Sequence, residues 1–220
     1  MVETRAASAG GGNAGSCSAL IPPALHWEQM NGWDGEGICV NSFALVSYLP
    51  DPLALFLDQL RRDLAPECHA KAHVTVLPPR PILSPPQDAW QEIKRGLRDF
   101  PPFRLELADV RIFPVTRVIY LSVGLGRKEL ERMHAALNRG QFELTEAFEY
   151  QPHVTLAQEL HPGEVAAAAE LAALRWGRFA HPRDYTIDKL TFVRNTMENR
   201  WTDLAGCSLS PLADHSNISN

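Results

Sequence analysis

The stretch HVTV at residues 73–76 returns as HVTL at residues 153–156. Each copy sets a histidine and a threonine two residues apart among hydrophobic neighbours. In a β-strand, residues i and i+2 point to the same face. His73 and Thr75 therefore project together, with Val74 and Val76 behind them; His153 and Thr155 do the same, backed by Val154 and Leu156. Eight His and nine Thr in 220 residues predict about 0.3 H-x-T matches by chance, and about 0.07 once both other positions must be hydrophobic. One such strand is by default structural. Two in one chain are a rare event, and if the strands are symmetry mates their polar faces meet across a cleft.

Working outward, strands and helices alternate around each copy. Residues 43–49, FALVSYL, form an apolar run of strand length. Asp51-Pro52 reads as an N-cap with proline at the first helical position. Leu53, Phe56, Leu57, Leu60 and Leu64 follow at helical spacing, with Arg61, Arg62 and Asp63 on the wet side. The first motif strand is expected over 72–77, stopped by the prolines at 78, 79 and 81. A helix is expected at about 86–98, then strands at 103–108 and 118–124. The next helix carries Leu130, Met133 and Leu137, and Gly140 is placed to end it. The second motif strand falls at 150–158, an alanine-rich helix runs to about 174, and two strands near 184–194 and 199–206 flank the loop NTMEN. The apolar phase slips at Asp188-Lys189, which predicts a bulge.

Each half thus supplies a helix, the HVT strand and another helix. A gap of 80 residues is too long for a solenoid repeat. It suits an α+β fold of two similar lobes about an approximate twofold axis. Residues 1–37, rich in Gly, Ala and Ser, and residues 210–220 read as loose tails. One two-lobed domain remains over 38–209.

Composition narrows the function classes. Net charge is −5 and the pI is near 5.9, so a large duplex footprint is not expected, while a small anion pocket is compatible with that balance. Cys17, Cys39, Cys68 and Cys207 form no CxxC pair, which fits a reducing cytoplasm better than a disulfide framework. No apolar run reaches the roughly 18 residues of a membrane span, and the opening MVETRAASAGGGNAGS lacks the apolar centre of a signal peptide. The sequon at Asn217 is therefore expected to be idle. No Walker-type loop is present, since Gly124-Leu125-Gly126 is too short and no GK[ST] follows, so neither ATP nor another cofactor is expected.

Two imidazoles facing each other can run acid–base chemistry without a metal. With an ordinary pKa of about 6.5, one can be neutral and the other protonated near pH 7. The neutral ring takes a proton from a nucleophile and the protonated ring gives one to a leaving oxygen. The threonine hydroxyls can donate to phosphoryl oxygens that gain charge. That set suits a phosphodiester whose leaving group is a sugar oxygen.

The paired motifs resemble those of the two-histidine (2H) phosphoesterase superfamily, in its 2′-5′ RNA ligase-like and RNA cyclic phosphodiesterase branch. RIFPVTRVIYLSVG at 111–124 resembles the paired strands between that family's motifs, and EYQPHVTLAQ at 149–158 its second motif, Pro152 included. The resemblance spans about 40–205. It implies a bilobal α+β fold with two antiparallel sheets flanking a cleft and helices outside. It implies an enzyme that opens 2′,3′-cyclic phosphates, typically to 2′-phosphates, or makes and breaks 2′-5′ linkages without ATP. His73 and His153 become the acid–base pair, and Thr75 and Thr155 the phosphate-oxygen ligands. The preferred assignment makes His153 the base and His73 the acid, with roles exchanged in reverse. Two positions depart from the pattern. Gln158 stands where bacterial members often carry arginine, and Leu77-Pro78-Pro79-Arg80 replaces a Phe-Leu-Gly turn.

Arg80 and Arg194 are the expected replacement cations for substrate binding, and Tyr150 the expected aromatic contact. Phe192 and Trp201 are further stacking candidates, since single-stranded RNA recognition uses aromatics. The expected partner is an RNA terminus or small cyclic nucleotide, taken by a monomer with no obligate protein partner. Two other classes compete: a non-catalytic module holding an RNA end or phosphate in the same cleft, and a zinc hydrolase using Cys68, His69 and His73. The zinc set is disfavoured because His69 and His73 straddle a loop-to-strand boundary. His134, His161, His181 and the Lys94-Arg95-Arg98 cluster read as ordinary surface, loop or core residues.

Overall fold

The computed structural model describes residues 39–66, 70–197 and 200–211. The amino-terminal tail, most of the carboxy-terminal tail, Cys68, His69 and part of the NTMEN loop lie outside the described residues. In chain order the elements are β1 (Cys39–Tyr48), α1 (Leu53–Leu64), β2 (His73–Arg80), α2 (Pro86–Leu97), β3 (Phe103–Ile112), β4 (Ile119–Val123), α3 (Arg127–Leu137), β5 (His153–Ala157), α4 (Val165–Gly177), β6 (Asp184–Ile187), β7 (Lys189–Thr196) and β8 (Trp201–Ser208).

The strands form two antiparallel four-stranded sheets, ordered β2-β1-β7-β8 and β5-β4-β3-β6. The two motif strands, β2 and β5, each lie at one end of their sheet, and these two strands touch. The repeat is β1-α1-β2 in one lobe and β4-α3-β5 in the other. The helices cross over: α1 packs against β5 and α3 against β2. One hydrophobic core therefore joins the lobes, with Leu45, Val74 and Val76 from the first sheet and Leu121, Val154 and Leu156 from the second. A smaller cluster of Ala44, Val46 and Val193 lies apart, with Tyr48 and Trp201 packed on it. This is why residues 43–46 are apolar without alternation: β1 is buried on both faces.

Several expectations shift for physical reasons. β2 runs through Pro78 and Pro79 instead of stopping before them. An edge strand tolerates residues without N–H groups, and the β1–β2 register is irregular between Phe43 and Val46, opposite this segment. The phase slip at Asp188 is a change of sheet, not a bulge: β6 pairs with β3, while β7 pairs with β1 and β8. α1 starts at Leu53 with Pro52 in the cap position and no side-chain capping bond. Arg61 is buried, 4% exposed, because it falls four residues after Leu57 on the helix's apolar stripe. α3 ends at Leu137 with Asn138 as its cap, ahead of Gly140, which opens a 3-10 turn. Gly126 at the start of α3 has φ +84°, and a Cβ there would meet the Arg104 carbonyl oxygen at 2.6 Å. That glycine serves a tight turn.

Candidate active site

Both motif strands show the same burial alternation. Val74, Leu156 and their counterparts Val76 and Val154 are fully buried, while His73, Thr75, His153 and Thr155 are half-buried on the other face. The apolar residues anchor each strand in the shared core, and the pleat turns the His-Thr pairs away from it. The structure thus brings the four motif side chains to the meeting edges of the two sheets.

The two imidazoles are held alike. His73 Nδ1–H donates to the carbonyl of Lys71 at 2.7 Å, and His153 Nδ1–H donates to the carbonyl of Gln151 at 2.7 Å. In each case the acceptor lies two residues upstream. A carbonyl can only accept, so Nδ1 carries the proton and Nε2 is the atom available for proton transfer. Burial pushes both imidazoles down from the ordinary histidine value. For His73 the fall reaches about 4, with the charges of Arg61 and His153 adding to burial and the Lys71 bond opposing it. The two rings sit on strands β2 and β5, which pack against each other.

Their flanks differ. Across the first sheet, His73 pairs with Tyr48 and Thr75 with Val46. Tyr48 stands edge-on to His73, ring centroids 6.4 Å apart, and its hydroxyl donates to Asp203 at 2.6 Å. Across the second sheet, His153 pairs with Ser122 and Thr155 with Tyr120. Phe113 stacks on Tyr120 at 3.9 Å, and both rings meet His153 edge-on at 5.1 and 5.4 Å. Gln151 Nε2 donates to the Tyr120 hydroxyl at 3.1 Å, fixing that ring beside the motif.

The expected substrate-binding residues are placed elsewhere. Arg80 is buried; its guanidinium donates to the Pro78 and Phe142 carbonyls, to Asn138 and to Glu146. Those bonds join β2 to the segment after α3, so Arg80 is spent on the interior and does not offer a cation to the cleft. Arg194 pairs with Phe43 and neighbours Phe192 on β7. Strand alternation puts it on the face of Phe43 and Phe192, opposite that of His73. Tyr150 does not present its ring to a base. Its hydroxyl donates to the Thr75 carbonyl at 2.7 Å and its ring stacks on His134 at 3.9 Å, tying the approach to β5 onto β2. Phe192 is core, stacked between Phe43 and Trp90. Trp201 alone among these aromatics sits beside Tyr48, in the cluster on the His73 face.

Sequence reasoning missed Arg61, Tyr48, Phe113 and Tyr120. The position of Arg61 on the apolar stripe of α1 was a usable signal. The aromatics had none, because their neighbours depend on strand register. A cavity of about 260 Å³ lies behind Tyr150, lined by His134, Asn138, Leu144, Glu146 and Phe148, and by none of the motif residues. Among the described residues no three His, Cys, Asp or Glu side chains converge as a metal site, and no helix is long and apolar enough to cross a membrane.

Comparison with known proteins adds a lineage. A family model described as the 2′-5′ RNA ligase superfamily matches residues 49–198. A candidate phosphoesterase of Geobacillus kaustophilus is 26% identical over 140 residues, covering 60% of this chain and 78% of that protein. One of Oceanobacillus iheyensis is 31% identical over 113 residues, 51% of this chain and 64% of the relative. The crystal structure of Escherichia coli LigT complexed with ATP superposes with a TM-score of 0.52 at 18% identity, over 78% of this chain and 99% of that one. LigT has also been crystallised with 3′-AMP, with a similar score. At these identities the structural likeness speaks for the fold.

Proposed function

The chain belongs to the 2′-5′ RNA ligase superfamily of two-histidine phosphoesterases, and from that premise we propose that it is a metal-independent cyclic phosphodiesterase. Its substrate is a 2′,3′-cyclic phosphate on an RNA end or small nucleotide, and with a 5′-hydroxyl in place of water as the nucleophile the same groups would open that ring into a 2′-5′ linkage without ATP. The observation that carries this reading is the matched pair of imidazoles, each with Nδ1–H held by a carbonyl at 2.7 Å and Nε2 left for proton transfer.

In hydrolysis, one neutral imidazole takes a proton from water as the water oxygen bonds to phosphorus in line. The protonated partner gives its proton to the departing ribose oxygen as that P–O bond breaks. Thr75 and Thr155 donate to the non-bridging oxygens, which gain charge in the transition state. The two histidines finish with exchanged protonation states. The complexes of LigT with ATP and 3′-AMP support a nucleotide-sized ligand for this cleft.

The test is turnover of a 2′,3′-cyclic nucleotide in excess EDTA, with the product resolved as 2′- or 3′-phosphate. His73→Ala and His153→Ala should each lower kcat by roughly 10²-fold or more. An unchanged kcat in either variant refutes the paired role. Loss of activity with chelator, restored by zinc, refutes the metal-free reaction. Tight binding of cyclic phosphates without turnover identifies a binding module instead.

A further inference from the structure

We propose that Arg111 on β3 binds the phosphate one nucleotide upstream of the reacting group, so that the preferred substrate is an RNA end carrying an internucleotide phosphate rather than a mononucleotide. This rests on the cyclic phosphodiesterase reading above and names the substrate class of that same cleft.

Strand register puts Arg111 on the face that carries the second motif. Thr155 on β5 pairs with Tyr120 on β4, and Tyr120 pairs with Arg111 on β3. Residues directly opposite each other in an antiparallel sheet point to the same face. Ring contacts fix which face that is. Tyr120 meets His153 at 5.4 Å, and Phe113, two residues beyond Arg111, meets it at 5.1 Å. Thr155, Tyr120 and Arg111 therefore form one row across three strands, about 10 Å long in backbone spacing. A hydroxyl stands at one end and a guanidinium at the other. Between them lies an aromatic surface, Phe113 stacked on Tyr120 at 3.9 Å. That order matches an oligonucleotide end: reacting phosphate, nucleoside, next phosphate. Among the described residues, β6 pairs with β3 only at Phe103 to Glu106, which leaves the Arg111 end of β3 as an open edge.

The guanidinium is available there. Its side chain is 59% exposed, and it meets Asp109, 76% exposed, at 3.5 Å. An exposed pair of that length holds each group weakly. A phosphate offers two free oxygens to the planar guanidinium, a bidentate seat that the distant carboxylate does not fill. The backbone beneath is fixed to the site. Ser122 Oγ accepts from the Asp109 N–H at 3.1 Å and donates to the Asp109 carbonyl at 3.2 Å, and Ser122 is the residue paired with His153. The arginines expected from the sequence do not compete for this place: Arg80 is held in the interior, and Arg194 lies on the opposite face of its own sheet. With a net charge of −5 the chain offers RNA no general attraction, so one placed cation has a readable effect.

The experiment compares 2′,3′-cyclic AMP with the dinucleotide ApA ending in a 2′,3′-cyclic phosphate, which adds one internucleotide phosphate. For the full chain, kcat and KM are measured for both over a range of salt, and calorimetry gives Kd for the two corresponding 2′-phosphate products. The wild type should prefer the dinucleotide in kcat/KM, with the gain in KM. Arg111→Gln should cut that preference roughly fivefold, the size of one exposed charged contact, and Arg111→Glu should cut it further. The dependence of log kcat/KM on log salt for the dinucleotide should become shallower by about 0.7 in Arg111→Gln, the share of one phosphate contact on a single strand. Arg111→Lys should keep most of that slope. Wild-type indifference to length overturns the proposal, as does a preference that survives Arg111→Gln or a loss that falls equally on both substrates. If neither substrate turns over, product binding decides: a dinucleotide preference lost in Arg111→Gln leaves the subsite standing while the catalytic reading falls, and no such preference overturns the subsite as well.

Discussion

Replacing Arg80 by methionine separates a cation that serves the interior from one that serves substrate. The guanidinium is 2% exposed and its partner Glu146 17%. It holds four acceptors: the Pro78 carbonyl at 2.9 Å, Asn138 at 2.6 Å, the Phe142 carbonyl at 2.5 Å and Glu146 at 2.6 Å. Methionine keeps most of the apolar stem and leaves these groups without their donor. Breaking a buried ion pair from one side costs about 3–5 kcal/mol, and the partial exposure of Glu146 argues for the lower end, about 3 kcal/mol. For a chain of this size that lowers Tm by roughly 6–12 °C. Thermal and urea unfolding measure the loss, and adding Glu146→Leu should recover part of it, because the stranded carboxylate is then gone. Well below the transition, KM for a 2′,3′-cyclic nucleotide should stay within about threefold of wild type, since the guanidinium does not reach the cleft. A Tm within about 1 °C of wild type together with a tenfold rise in KM would show that Arg80 faces substrate, and the placement argued above would be wrong.

Tyr150→Phe removes the donor to the Thr75 carbonyl while keeping the stack on His134; calorimetry should find a loss of about 1–2 kcal/mol, and an unchanged Tm would mean the bond is not made in solution. Thr75→Val and Thr155→Val keep the branched strand-forming shape, so circular dichroism should be unaltered while kcat falls roughly 10²-fold; a rise in KM alone would assign the hydroxyls to ground-state binding. Acid should destabilise the fold. Between about 4 and the ordinary 6.5, an unfolded His73 binds a proton that the folded ring, depressed by burial and by Arg61, does not. Stability therefore rises with pH through that window and is lost as pH falls through it. His73→Gln should flatten this slope in urea titrations, and an unchanged slope would mean the depression is not there.

The legible part of the fold came from patterns that local chemistry enforces. The i, i+2 spacing in HVTV and HVTL is a strand signature with one polar face, and both copies show it, Val74 and Val154 buried and the histidines turned away. The helices around Leu57, Ile93 and Leu130 announced themselves by their 3.6-residue stripes. The errors sit where a residue's neighbour in space decides. Pro78 and Pro79 continue β2 because it is a sheet edge, which no local pattern states. Asp188 marks a change of sheet, and in sequence that looks like a bulge, since both shift the apolar phase by one residue. Arg80, next to the motif along the chain, turns inward to Glu146, 66 residues away.

By itself, then, the sequence determined that two strands each present a histidine and a threonine on one face, and that the pair is too improbable for chance. Those conclusions need only backbone geometry and residue identity, which are local. Tertiary structure decided what distinguishes the two halves: Arg61 reaching the carbonyl behind His73, and Phe113 with Tyr120 beside His153. Such contacts arise from α1 crossing to its place in the shared core and from the register of β3 on β4 on β5. Both are set by packing between distant segments, so a near-repeat in the chain becomes, in the folded molecule, a site with two unequal sides.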